Sequence, residues 1–152
     1  MAQRTNEDLS RIVVDESYPH PVAKAWRALT MPDIMAHWLM PNDFQPVVGR
    51  QFTMQGTAYE KTNFSGTDKC AVLALEPENT LRISWQDAAP GSTLRSTVTW
   101  TLEAEGKGTR VFLEQAGDNP EDPLHQMARN IISGGWTRGI LPKLSDVLAA
   151  DL

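Results

Sequence analysis

TLRSTVTWTLEAEGKGTRVFLEQAG, residues 93–117, decides the fold. Leu94, Val98, Trp100 and Leu102 lie at even positions, against Thr93, Arg95, Thr97, Thr99 and Thr101 at odd ones. That is the period of two expected of a strand with one buried face. Gly106 to Gly108 turn the chain, after which Val111 and Leu113 point inward opposite Arg110 and Glu114. A connection this short joins antiparallel neighbours, and the polar alternate face implies that one side of the sheet meets water.

The same pattern extends upstream. Leu81, Ile83 and Trp85 alternate with Arg82, Ser84 and Gln86 in a strand over Thr80–Gln86. Pro77-Glu-Asn turns it back on a strand over Thr67–Glu76, and Ala89-Pro-Gly makes the next turn. From Gly49, Phe52 and Met54 oppose Gln51, Thr53 and Gln55, with a polar hairpin connection over residues 57–64. Arg11–Tyr18 forms the first strand, with Ile12, Val14 and Tyr18 on one face and Glu16 among them, and Pro19 and Pro21 end it. Pro21 opens a short helix carrying Val22, Ala25, Trp26 and Leu29. Thr30 with Asp33 resembles a capping pair before a second helix with Ile34, Met35 and Trp38, which Pro41 ends.

Downstream, the pattern becomes helical. Asn119-Pro-Glu-Asp or Asp122-Pro-Leu supplies the cap. Leu124, Met127, Ala128, Ile131 and Gly135 share one face, whereas Ile140, Leu141, Leu144, Val147 and Leu148 fall nearly opposite. A straight helix cannot bury both stripes against one concave sheet. The change coincides with Gly134, Gly135, Gly139 and Pro142, which predicts a kink there. The expected fold class is α+β: a curved antiparallel six-stranded sheet gripping a long C-terminal helix, with two short helices after strand one. Residues 1–9 read as a flexible tail and 10–152 as a single domain.

Bulk properties exclude several functions. The chain has 152 residues, with 41% hydrophobic and 22% charged, suiting one globular core. Its net charge of -5 and lack of any Lys/Arg run argue against nucleic acid as a partner. No apolar stretch is long enough to span a bilayer, and the polar start lacks the apolar region of a signal peptide. The lone Cys70 allows no internal disulfide, which reads as cytoplasmic. Five tryptophans and six methionines offer bulky, adaptable apolar surface, either as core or as the lining of a ligand cavity.

Five segments in order carry a family resemblance. They are YPHPVAKAWRALTMPDIMAHWLMPNDF (18–44), GRQF (49–52), LALEPENTLRISW (73–85), STVTWTLEAEGKGTRVFLEQAG (96–117) and GGWTRGILPKLSDVL (134–148). Together they resemble the START-like superfamily, also called SRPBCC or Bet v 1-like. Within it they resemble the family named after the C-terminal domain of the activator of heat-shock-protein-90 ATPase. The resemblance implies a pocket for an apolar or amphipathic small molecule between sheet and helix. Some members are cyclases or lyases, and many only bind. The chaperone activator carries a further N-terminal domain for which this length leaves no room, so its chaperone role is not expected to transfer. Pro142 departs from the residues usual in the final helix.

Candidate site residues follow from these faces. Glu16 is a carboxylate at an inward position, which is costly unless paired or wet. It reads either as a ligand-orienting or acid/base group, or as a solvated residue at the sheet rim. His37, beside Trp38, is either at a pocket mouth or on a helix surface. His125 is a further helix histidine, and Arg129 and Arg138 either reach a ligand anion or form exposed salt bridges. Trp38, Phe44, Phe52, Met54, Trp85, Val98, Trp100, Met127 and Ile131 are the expected apolar wall, with Leu94 behind it. Cys70 reads as structural, and Gly134 and Gly135 as allowing close helix approach or cavity space. No His/Cys/Asp/Glu cluster has metal-ligand spacing, so neither metal nor cofactor is implied. The first reading is a module binding a small apolar molecule, with a homodimer possible. The alternatives are an enzyme of the same fold, a cyclase, hydrolase or isomerase using Glu16 and His37 on an aromatic or lipid-like substrate, and a chaperone-associated interaction module.

Overall fold

A computed structural model describes residues 8–62 and 64–150, so most of the expected tail lies outside the described residues. The elements run β1 (Arg11–Tyr18), α1 (Val22–Thr30), α2 (Pro32–Trp38), β2 (Gln51–Gln55), β3 (Thr67–Glu76), β4 (Thr80–Asp87), β5 (Arg95–Glu105), β6 (Gly108–Ala116), α3 (Pro123–Gly135) and α4 (Leu141–Ala150). The sheet is antiparallel in the order β1-β6-β5-β4-β3-β2. This is the expected α+β helix-grip architecture. The meander runs from β2 to β6, and β1 closes onto β6. At the β5–β6 hairpin Gly106, at φ 61°, supplies the positive φ needed at the first central position of a two-residue turn. The register slips between Val72 and Ala74, where the extra residue, Leu73, is left exposed. Such a bulge bends its strand and sharpens the twist, helping the sheet curve.

Aromatic rings fill the grip. Trp38 meets Trp100 edge-on at 6.4 Å between centroids, and Trp136 meets both Trp100 and Trp85 at 6.0 Å. Phe44 and Phe52 form another perpendicular pair at 5.1 Å. Trp38 also donates its indole N–H to the Ala28 carbonyl at 2.9 Å, tying α2 to α1. The Trp100 indole N–H is buried and has no acceptor among the described residues.

The change in the C-terminal stripe has a definite form. Trp136–Ile140 is one π-helical segment, in which the Leu141 N–H reaches back five residues to the Trp136 carbonyl. Pro142 explains its position: it has no N–H for the Arg138 carbonyl, and its ring crowds that carbonyl in α geometry. The wider turn lets Trp136 enter the core beside Trp85 and Trp100 while α4 packs against α1 and α2 with Leu141, Leu144, Val147 and Leu148. Tyr18 fixes the junction by donating to the Leu141 carbonyl at 3.1 Å.

Three local expectations need correction. In α3 the buried face carries His125, Ala128 and Arg129, whereas Met127 and Ile131 are 44% and 46% exposed. The buried face is therefore turned about 100° from the apolar stripe, because His125 and Arg129 find partners on the sheet side and polar residues can be buried there. Second, Thr30 caps nothing at α2, whose N-cap is Met31; its hydroxyl instead donates to the Trp26 carbonyl at 2.8 Å. Third, an added Cβ at Gly134 would first meet the flexible guanidinium of Arg138, and one at Gly135 would meet nothing within 4 Å, so neither glycine marks a tight approach to the sheet.

Asp122 is the α3 cap, accepting from Leu124 N at 2.9 Å and His125 N at 3.4 Å. Asp122→Ala is expected to cost about 1 kcal/mol. A urea midpoint that does not move would contradict the role of the cap.

Candidate functional site

One end of the concave face is polar where a core would be apolar. On β3, Asp68 shares its inward row with Cys70 and Val72 and is 4% exposed. Asp87 on β4 stands opposite it in register and is also buried. Ser96 on β5 and Gln115 on β6 continue this polar floor, with Trp85 on β4 beside them.

The groups are wired individually. Gln115 accepts from the Trp136 indole N–H at 2.8 Å and donates to Ser96 Oγ at 2.9 Å. Asp87 accepts from Ser65 N at 3.2 Å, Ala89 N at 3.1 Å and the Ser65 hydroxyl. Asp68 differs. Burial pushes its carboxyl up to about 7, the Trp85 indole N–H pulls the other way, and the charge of Asp87 pushes it up further. Asp68 therefore carries its proton into the neutral range, where it can donate a hydrogen bond.

Helix α3 roofs this floor, approaching β1 at one side and the Glu60–Thr62 turn at the other. Arg129 donates twice to the Arg11 carbonyl, from Nε at 3.1 Å and Nη2 at 3.0 Å, anchoring the roof to β1. Of the two roles expected for Arg129, the exposed salt bridge does not fit, because the side chain is buried. His125 Nδ1 accepts from Asn119 N at 3.0 Å, so the neutral ring carries its proton on Nε2 and donates to Thr93 Oγ1 at 2.9 Å. Among the described residues no group of three or more His, Cys, Asp or Glu could hold a metal. A separate shallow surface depression, lined by Lys24, Arg27, Ala28, Ile34, Val147 and Leu148, shares no residue with this site.

The geometry can be set beside known proteins. Residues 19–149 match the family model for activator of Hsp90 ATPase homolog 1-like protein. The chain belongs to this family. Protein MLL2253 from Mesorhizobium loti is 35% identical, covers 92% of this chain and 97% of its own, and superposes with a TM-score of 0.80. CalU16 from Micromonospora echinospora is 24% identical over 93% of this chain and 77% of its own, with a TM-score of 0.71. Protein NE0264 from Nitrosomonas europaea is 16% identical over 96% and 98%, with a TM-score of 0.73. The last two show the fold alone. A search of curated proteins finds no match.

Within this activator-homologue fold the residues expected to form a site separate into groups. Trp38, Phe44, Phe52, Met54, Val98 and Trp100 are gathered in the core, and Trp85 is partly buried at the edge of the polar floor. Met127 and Ile131 lie on the exposed side of α3. Glu16 is exposed although its strand continues to Tyr18. β1 is an edge strand that α3 reaches at its Arg11 end, so Glu16 lies beyond the anchored roof; its charge adds to burial in pushing the Tyr18 hydroxyl up. His37 is exposed in the last turn of α2. Both expected acid/base residues are thus open to solvent, Glu16 at an inward position of β1 and His37 on α2. Asp68, Asp87, Ser96 and Gln115 were missed, though the signal was present: Asp68 has the parity of Cys70 and Val72, as Gln115 has that of Val111 and Leu113.

Proposed function

We propose that this chain is a binding module holding a small, mostly apolar ligand between α3 and the Asp68–Gln115 end of the sheet. The buried Asp68 carries this reading. A carboxyl set among aromatic and aliphatic side chains lowers stability, and a packed core would place an apolar residue there. Apolar walls with few polar groups are the usual composition of a small-molecule site. Met54, opposite Asp68 in register, and Trp85 supply apolar surface near one protonatable group, with Ser96 and Gln115 as neutral neighbours. The facing pair Asp68 and Asp87 favours a second reading, an enzyme on an aromatic or lipid-like substrate in which Asp68 gives and regains a proton.

No described helix is long and apolar enough to cross a membrane. The lone Cys70 is buried and its thiol is pushed up by that burial, so it is unreactive. A cytoplasmic location rests on this cysteine usage.

Native mass spectrometry of freshly purified protein should reveal a co-purifying small molecule. Equilibrium dialysis should show saturable uptake of 2-ethylnaphthalene, an apolar probe. Ala128→Leu, which adds bulk to the sheet-facing side of α3, should weaken that uptake about tenfold with an unchanged circular dichroism spectrum. A clean spectrum together with no saturable uptake would overturn the binding reading.

A further inference from the structure

We propose that the site selects an uncharged, flat apolar ligand bearing a carbonyl or similar hydrogen-bond acceptor, which accepts from the Asp68 carboxyl beside Trp85. This deepens the binding reading and rests on it. It follows from the balance of donors and acceptors on the concave face. Gln115 spends its carbonyl on Trp136 and one amide hydrogen on Ser96. Both Asp87 oxygens are engaged by Ser65 and Ala89. The Trp100 indole N–H, on a ring 1% exposed, has no acceptor among the described residues. Among the described residues the face is thus short of acceptors, and a neutral Asp68 adds one more donor.

Charge selects in the same direction. Asp87 faces Asp68 from β4, Cys70 follows on β3, and β2 presents the apolar Met54. The α3 roof presents His125, committed to Thr93 and Asn119, and Arg129, committed to β1. Of these charged groups only Asp87 bears on Asp68, and its negative charge repels an anionic ligand while leaving a neutral acceptor welcome. Trp85, partly buried beside Asp68, offers a flat aromatic ring that suits a flat partner. Because the donor is a carboxyl, recognition of the acceptor fades as Asp68 ionises, and an asparagine in its place keeps a donor at every pH.

Equilibrium dialysis of the full chain against two probes of one shape tests this. They are 2-acetylnaphthalene, which has a carbonyl, and 2-ethylnaphthalene, which has none. The ketone should bind about tenfold more tightly at pH 5.5 than at pH 8.5, while the hydrocarbon binds alike at both. Asp68→Asn should bind the ketone equally at the two pH values, and Asp68→Leu should lose the preference for ketone over hydrocarbon. If both probes bind with one shared affinity at both pH values, acceptor recognition is wrong while apolar binding stands. If the ketone keeps its pH dependence in Asp68→Asn, the donor is another residue and the proposal fails. If neither probe binds at either pH, the binding reading fails with it.

Discussion

Trp136→Ala is expected to cost about 3–5 kcal/mol of folding stability, out of a total that for a domain of this size is about 5–15 kcal/mol. Trp136 is fully buried and stands between Trp85 and Trp100 with centroid distances of 6.0 Å to each. Truncation opens a cavity that the rigid sheet cannot close, and it removes two perpendicular ring contacts. It also leaves the buried Gln115 oxygen without the N–H that it accepts at 2.8 Å. An orphaned acceptor alone costs about 1–3 kcal/mol. Trp136→Phe keeps most of the apolar volume and loses the N–H, so it should cost about 1–3 kcal/mol. Chemical denaturation followed by circular dichroism measures both. An alanine variant within 1 kcal/mol of the parent would mean that this ring does not anchor the helix to the sheet.

The importance of Trp136 was only half legible in the sequence. The rotation of the apolar stripe between Gly134 and Pro142 announced an irregularity, and the π segment over Trp136–Ile140 lies within it. The irregularity carries Trp136 inward and sends Leu144 and Leu148 toward α1 and α2. Strand alternation was the stronger signal, since period two leaves a residue only two faces to choose from. Helix α3 was harder. Its sheet-facing side carries His125 and Arg129, whose burial depends on acceptors contributed by Thr93 and Arg11, far away in the chain. Hydrophobicity therefore pointed to Met127 and Ile131, which the fold leaves outside.

Glu16 and Asp68 show why the site was harder to see than the fold. Both are carboxylates at inward parity in a strand, and parity alone cannot rank them. Their positions in the sheet do. β1 is an edge strand, whereas β3 pairs with β2 and β4 on its two sides. Glu16 consequently remains in water, while Asp68 is enclosed and brought against Asp87 by strand pairing. Strand order is a property of the folded chain, so the distinction was not available from local pattern.

Asp68→Asn is expected to stabilise the protein at pH 8, by roughly 2–4 kcal/mol, and to change it little at pH 4. In the folded protein the Asp68 proton is held up to about 7, whereas the ordinary value is 3.8. Between those values the native state binds more protons than the unfolded one, so this residue lowers stability as pH rises through that window. The loss is complete above about 7 and absent below 3.8. At about 1.4 kcal/mol per pH unit the full window corresponds to roughly 4 kcal/mol, an upper bound because water and rearrangement relieve part of it. Asparagine matches the shape and never ionises, so urea midpoints of the two proteins should coincide at pH 4 and diverge toward pH 8. Equal or lower stability of the variant at pH 8 would contradict the burial argument. A side chain that weakens the fold where a near-isostere would strengthen it is the kind that function retains. If the variant is more stable at pH 8 and has also lost the pH dependence of ketone binding, the stability cost and the recognition reside in the same proton.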